Sequence, residues 1–225
     1  SFLFTSDISE GLQQDYSVCH ILEVVLNRND EVSLEQIGYW RSNVVGIEEF
    51  AGVVAELFNK FNPEYSKLLV EQNTYGDYFF KCLSQYEETF EVPLEAICKF
   101  KRASDADTKI KGLRTNHNVK MLAIKCFQKM MLQDRLFVQD KTTVVEIEHF
   151  KENGKGSYEA ELGHDDTVTP LLYASYFIIL NELEAQNFIE DWMMLNGKQL
   201  HQHPSMDITD KMEQMELDNF KNLPQ

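Results

Sequence analysis

Up to Val45 the apolar residues alternate or run unbroken; from Gly46 to Phe61 they recur at every third or fourth position. Phe2 to Ser6 reads as a strand closed by Asp7, and Tyr16 to Leu26 as a second, β-branched strand. The polar turn Ile8 to Gln14, with Gly11 inside it, joins them into a hairpin, and Ile37 to Val45 reads as a third strand. Ile47, Phe50, Val53, Val54, Leu57 and Phe58 then mark an amphipathic helix from Gly46 to Phe61, stopped by Asn62-Pro63. Lys67 to Glu71 is a short buried strand, and Asn73 caps a helix running to about Tyr86. A hairpin followed by strand–helix alternation predicts an α/β fold: a mixed sheet with parallel strands, flanked by helices.

Farther along, Ala96 to Phe100 reads as a strand and the basic stretch Lys101 to Asn116 as a loop. A helix from Asn118 to Gln133 shows an apolar stripe from Val119 to Met131. Thr143 to Phe150 alternates and reads as a strand, Gly154 and Gly156 as a turn, and Gly163-His164-Asp165-Asp166 as the start of a long apolar helix reaching about Glu184. The stretch from Asn181 to Gln225, with nine acidic side chains against Lys198, Lys211 and Lys221, reads as a helical, partly mobile tail.

Composition narrows the function. The 225 residues carry a net charge of −16, which argues against a general nucleic-acid-coating protein. Apolar residues are plentiful enough for a folded core, and no stretch is long and apolar enough to span a bilayer. Cys19, Cys82, Cys98 and Cys126 lie apart in apolar segments and read as buried free thiols of a reducing compartment.

Three acidic positions share a feature. Asp7 ends the first strand, Glu71 ends a later one, and Asp165 and Asp166 open a helix after a glycine. Strand ends and helix starts meet in the crevice of an α/β sheet. Carboxylates gathered there repel one another unless a divalent cation sits among them, and hard oxygen ligands suit Mg²⁺ or Mn²⁺. Such cations promote phosphodiester hydrolysis by activating water and stabilising the attacking and leaving oxygens. Taken singly, an aspartate at a helix start is also an ordinary cap, and a glutamate after a strand is also an ordinary solvated side chain.

The run Asp7-Ile8-Ser9-Glu10-Gly11 through Asp15-Tyr16 resembles the first nuclease motif of the large terminase subunit of tailed phages, especially the T-even type. Glu71-Gln72-Asn73-Thr74-Tyr75-Gly76 resembles its second motif, and Gly163-His164-Asp165-Asp166-Thr167-Val168 its third. Gly112 to Asn116 with Lys120 resembles the family's glycine-threonine-lysine segment, and Val145 to Phe150 its glutamate-bearing strand. The matches fall in family order from residue 2 to about residue 180.

The resemblance implies a ribonuclease H-like fold and an endonuclease that cuts concatemeric viral DNA with little sequence preference during genome packaging. It implies one or two Mg²⁺ or Mn²⁺ ions held by Asp7, Glu71 and Asp166, with Asp165 as second ligand or substitute. Asp15, Glu10, Gly11 and His164 support the site, as water-orienting, turn-shaping or helix-start residues. The family's phosphate-loop motif is missing, so residues 1–185 read as a nuclease domain, 186–225 as the tail, and the N-terminal ATPase domain as cut away. Implied partners are double-stranded DNA, that ATPase domain, the portal and the small terminase subunit, in the host-cell cytoplasm and without a membrane.

Charge points to a DNA face independently. Residues 99–129 hold nine basic side chains against Asp105 and Asp107. Lys101, Arg102, Lys109, Lys111, Arg114 and Lys120 are candidate phosphate contacts. A junction resolvase-like nuclease and a non-catalytic DNA-gripping or docking module of a packaging motor are the alternatives.

Overall fold

The structure is a computed structural model that describes residues 1–13, 15–61, 63–72, 74–86, 92–93, 96–102, 105–154, 156–182 and 185–186, with the backbone alone for 100–102 and 105–110. Three antiparallel strands open it: β1 (Phe2–Asp7), β2 (Ser17–Leu26) and β3 (Val32–Ser42). Helix α1 (Ile47–Lys60) crosses to β4 (Ser66–Val70), which pairs with β1 in parallel. After helix α2 (Gly76–Leu83) comes the hairpin β5 (Lys99–Arg102) and β6 (Asp105–Lys111). Helix α3 (His117–Leu132) leads to β7 (Leu136–Phe137), parallel to β3 at the far edge. Helix α4 (Lys141–His149), the small hairpin β8 (Phe150–Glu152) and β9 (Tyr158–Ala160), and helix α5 (Val168–Leu180) complete the order. The main sheet runs β4-β1-β2-β3-β7.

Both faces of this sheet are covered, which explains why its strands read as near-continuous apolar runs. Successive side chains point to opposite faces. Leu3, Leu22, Val24 and Leu69 therefore pack with Phe127, Met130, Leu171 and Leu172 of α3 and α5. Phe4, Cys19, Ile21, Leu68 and Val70 pack with Phe50, Val54, Phe58 and Phe79 of α1 and α2. Each such aliphatic or aromatic side chain stabilises the fold by about 1.5–3 kcal/mol. Trp40 belongs to this packing, stacked on Phe50 at 5.2 Å. At the β7 edge the wholly buried Arg135 donates through Nε to the Val32 carbonyl (2.8 Å) and pairs with Glu182 beyond α5 (2.6 Å).

Several expectations are corrected. The third strand, expected over Ile37 to Val45, runs Val32–Ser42. Thr143 to Phe150 is a helix, with only Phe150 entering a strand. Asp140 caps it, its side chain accepting from the Thr143 amide at 2.7 Å, and that local bond outweighs the β-branched alternation. The glutamate-bearing segment matched at Val145 to Phe150 is thus helical. The basic stretch read as a loop from Lys101 is mostly β-hairpin, with Lys101 opposite Lys109. Within Ala96 to Phe100 only Lys99 and Phe100 are strand proper, while Ile97 makes an isolated parallel bridge to Leu68. Asn73 and residues 187–225 lie outside the described residues. The four cysteines are free, three of them buried, and burial pushes the Cys19 and Cys98 thiols up to about 12. Among the described residues no helix is long and apolar enough to cross a membrane.

Candidate metal centre

The parallel register of β1 and β4 sets Ser6 beside Val70, so the chain continues on both strands into Asp7 and Glu71 side by side. The Glu71 amide donates to the Ser6 carbonyl (3.1 Å), holding that alignment past the end of β4. Helix α5 packs against β1 and β2, and Thr5 Oγ1 donates to its Pro170 carbonyl at 3.0 Å. The segment leading into α5 thereby brings Asp165 and Asp166 to the same sheet end. Asp7, Glu71, Asp165 and Asp166 line one cleft of about 580 Å³, together with Glu10, Asp15, Tyr16, Thr115, Lys120, Tyr173 and others.

Each carboxylate has its own bracing. The Ile8 amide donates to Asp7 Oδ1 at 2.8 Å. Glu71, 9% exposed, accepts on Oε1 from Tyr173 (3.1 Å) and from the Thr115 hydroxyl in a short contact. Asp166, 8% exposed, accepts on Oδ2 from the Tyr16 amide at 3.1 Å. The Asp165 carbonyl accepts from the Val168 and Thr169 amides, both at 3.0 Å, so this residue starts α5 through its backbone while its side chain lines the cleft.

The group is electrostatically uncomfortable without a cation. Asp7 is pushed well above the ordinary carboxylate range, first by burial, then by repulsion from Glu71 and a side-chain hydrogen bond with it, and by Asp166. Asp166 is raised to about 6, chiefly by burial and further by Asp15 and Asp165, against the lowering effect of Tyr16 and His164. An all-oxygen donor set in which proximity and desolvation penalise ionisation fits a hard divalent cation.

The supporting residues divide. Ligand atoms of Asp15, His164 and Asp166 lie within 4.8 Å of one another, with His164 Nδ1 3.4 Å from Asp166 Oδ2. His164 is 43% exposed on its side chain and meets the Tyr16 ring edge-on at 5.3 Å. Glu10 lines the cleft and hydrogen-bonds the Tyr75 hydroxyl, raising its pKa. Gly11 shapes the turn: its φ is +74°, and a Cβ there would sit 2.4 Å from the Val45 carbonyl oxygen.

The basic candidates divide too. Lys120 lines the cleft, beside Asn116 and His117 from the start of α3. Lys111 lies in a neighbouring groove with Gln72, Asp77 and Phe80. Arg114 is exposed and outside the cleft lining. Lys101, Arg102 and Lys109 belong to the β5–β6 hairpin, where only the backbone is described.

Sequence reading missed Thr115 as a donor to Glu71, along with Tyr173, Tyr16, Arg41 and His20. Thr115 stood inside a matched segment, and its hydroxyl two residues before the start of α3 was the available signal. The others signal nothing locally, because their partners are remote in sequence.

No protein-family model matches the chain. Among solved structures, it is similar to the large terminase nuclease from thermophilic phage G20c with bound magnesium. The match has a TM-score of 0.55 at 18% identity and covers 78% of this chain and 80% of that one. The shared feature is the fold: a ribonuclease H-like mixed sheet flanked by helices.

Proposed function

We propose that this chain is a metal-dependent endonuclease of the large-terminase type, cutting DNA by phosphodiester hydrolysis during viral genome packaging. The observation that carries this reading is that Asp7, Glu71 and Asp166, from three distant segments, line one cleft in which ligand atoms of Asp15, His164 and Asp166 lie within 4.8 Å of one another. The likeness to a terminase nuclease whose structure holds magnesium supports it.

Asp7, Glu71 and Asp166 would hold a Mg²⁺ or Mn²⁺ ion, with Asp15 and His164 close enough to Asp166 to assist or to hold a second, and Asp165 lining the same cleft. Bound there, such a cation supplies water activation and charge stabilisation at the attacked phosphate. Thr115 and Tyr173 fix the plane of the Glu71 carboxylate by donating to one of its oxygens. Lys120 offers a positive charge to a phosphate in the same cleft. Lys111, Arg114 and the basic β5–β6 hairpin extend that surface along the duplex backbone. None of these contacts reads a base, so low sequence specificity follows.

The finer reading goes with it: a T-even-type nuclease domain over residues 1–185, working beside an ATPase domain, portal and small terminase subunit in the host-cell cytoplasm. Plasmid nicking tests the activity. The expected result is Mg²⁺- or Mn²⁺-dependent conversion of supercoiled plasmid to nicked and linear forms, lost with chelator and in Asp7→Asn. Full cutting by Asp7→Asn would refute the assignment, and strong preference for four-way junctions over linear duplex would reassign the substrate.

A further inference from the structure

Glu146 is buried on α4, 8% exposed, and is not among the residues that line the cleft. Its Oε2 accepts twice from Thr167, from the amide at 2.9 Å and from the hydroxyl at 2.5 Å. Its Oε1 pairs with Arg41 Nη1 at 3.3 Å. The Arg41 guanidinium lies 3.9 Å from the centre of the Tyr16 ring, and the Tyr16 amide donates to Asp166 Oδ2 at 3.1 Å. Glu146 therefore reaches Asp166 by two routes: through the next residue in the chain, and through Arg41 and Tyr16. The Thr167 carbonyl is held from the sheet side, accepting from His20 Nε2 at 2.8 Å. Gln36 fixes that ring by donating to Nδ1 at 3.0 Å.

With its amide, hydroxyl and carbonyl all engaged, Thr167 cannot rotate without breaking bonds to α4 and β2. Asp166, one residue earlier, inherits that rigidity, whereas Asp15 and Asp165 are more exposed. A buried charge pair gives weak net stabilisation on its own, so stability alone is a poor reason for a carboxylate here.

We propose that Glu146 is a positioning residue: through Thr167 and through the Arg41–Tyr16 pair, it holds the Asp166 carboxylate in the orientation that receives a divalent cation together with Asp7 and Glu71. The proposal rests on the metal-site reading given above. Residues that orient metal ligands change metal affinity or activity by about 10–100-fold when removed.

The test is Mn²⁺ affinity by calorimetry on wild type, Glu146→Ala, Glu146→Gln, Arg41→Met and Asp7→Asn, alongside the Mn²⁺ dependence of plasmid nicking. Glu146→Ala should bind Mn²⁺ about 10–100-fold more weakly, with nicking shifted to correspondingly higher Mn²⁺. Glu146→Gln should fall between, because its amide oxygen still accepts from the Thr167 amide while the charge pair with Arg41 is lost. Arg41→Met should show the same shift in smaller measure. A merely structural Glu146 would lower the melting temperature and leave the Mn²⁺ affinity of folded protein unchanged, which overturns the proposal. If Glu146→Ala does not fold, unchanged affinity in both Glu146→Gln and Arg41→Met overturns it equally. Wild type that binds no Mn²⁺ at millimolar concentration sinks the metal-site reading and this proposal together. Binding abolished by Asp7→Asn yet indifferent to the Glu146 variants sinks the positioning role alone.

Discussion

His20 should make the stability of this protein fall on mild acidification. The residue is fully buried on β2, and Gln36 donating to Nδ1 leaves the proton on Nε2, facing the Thr167 carbonyl. Burial lowers its pKa from the ordinary 6.5 to about 4, while the Thr167 carbonyl and Asp140 pull weakly the other way. The unfolded chain binds a proton near the ordinary value and the folded one resists it, so the contribution is complete above about pH 6.5 and lost as pH falls toward about 4. At about 1.36 kcal/mol per pKa unit the whole loss approaches about 3.4 kcal/mol, and about 2 kcal/mol of it is gone by about pH 5. Urea unfolding from about pH 7.5 to about pH 5 measures this, with His20→Gln as a non-titrating comparison that keeps a donor for Thr167. Asp7 and Asp166, whose raised pKa values act in the opposite sense, are common to both proteins and cancel in the difference. Wild type should lose about 2 kcal/mol relative to the variant over that range. Parallel pH profiles would refute a neutral, desolvated His20.

Three further outcomes follow from the cleft and its supports. Protonated Asp7 and Asp166 need no cation; Asp166 gains its charge as pH rises through about 6, and Asp7, buried and beside Glu71, resists ionising more than an ordinary carboxylate does. The rise in melting temperature on adding Mn²⁺ should therefore be larger near pH 8 than near pH 5.5, approximate settings either side of that value; equal shifts would contradict it. Asp7→Asn should melt higher than metal-free wild type at neutral pH and gain nothing from Mn²⁺; a destabilised variant would mean that the carboxylates do not strain the fold. Gly112 has φ +73°, and a Cβ there would lie 2.7 Å from the Val70 carbonyl oxygen, beside the bridge that joins Glu71 to Leu113. Gly112→Ala should cost about 2–4 kcal/mol in urea unfolding, and a neutral effect would contradict the close approach.

Part of the sheet was legible because its strands are buried on both faces: β1, β2 and α1 announce themselves by period alone, whereas β3 begins five residues before the expected Ile37 and the two-residue β7 is too short to show a period. A parallel component was inferable from the order of elements, but that it is β1 pairing with β4, setting Asp7 beside Glu71, was not. Helix α4 was not legible: Thr143, Val144, Val145 and Ile147 carry a strand-like pattern, and the deciding bond, from Asp140 to the Thr143 amide, lies outside that pattern. The β5–β6 hairpin looked like a loop because its sequence is polar and basic rather than alternating, and its register sets Lys101 opposite Lys109. The acidic positions were visible as strand-end and helix-start residues, but their supports were not. Glu71 is braced by Thr115 and Tyr173, and Asp166 by the Tyr16 amide from 150 positions away. Such pairings exist only once the sheet has closed. Spacing likewise left Asp165 and Asp166 equivalent, whereas the fold buries Asp166 and leaves Asp165 half-exposed.

The decisive measurement is the anomalous signal from crystals soaked in Mn²⁺. A peak in the cleft, coordinated by carboxyl oxygens of Asp7, Glu71 and Asp166 and removed by Asp7→Asn, is the expected result. An empty cleft at millimolar Mn²⁺, or a peak bound only by surface carboxylates elsewhere, would contradict a shared cation and with it the nuclease chemistry proposed for this fold.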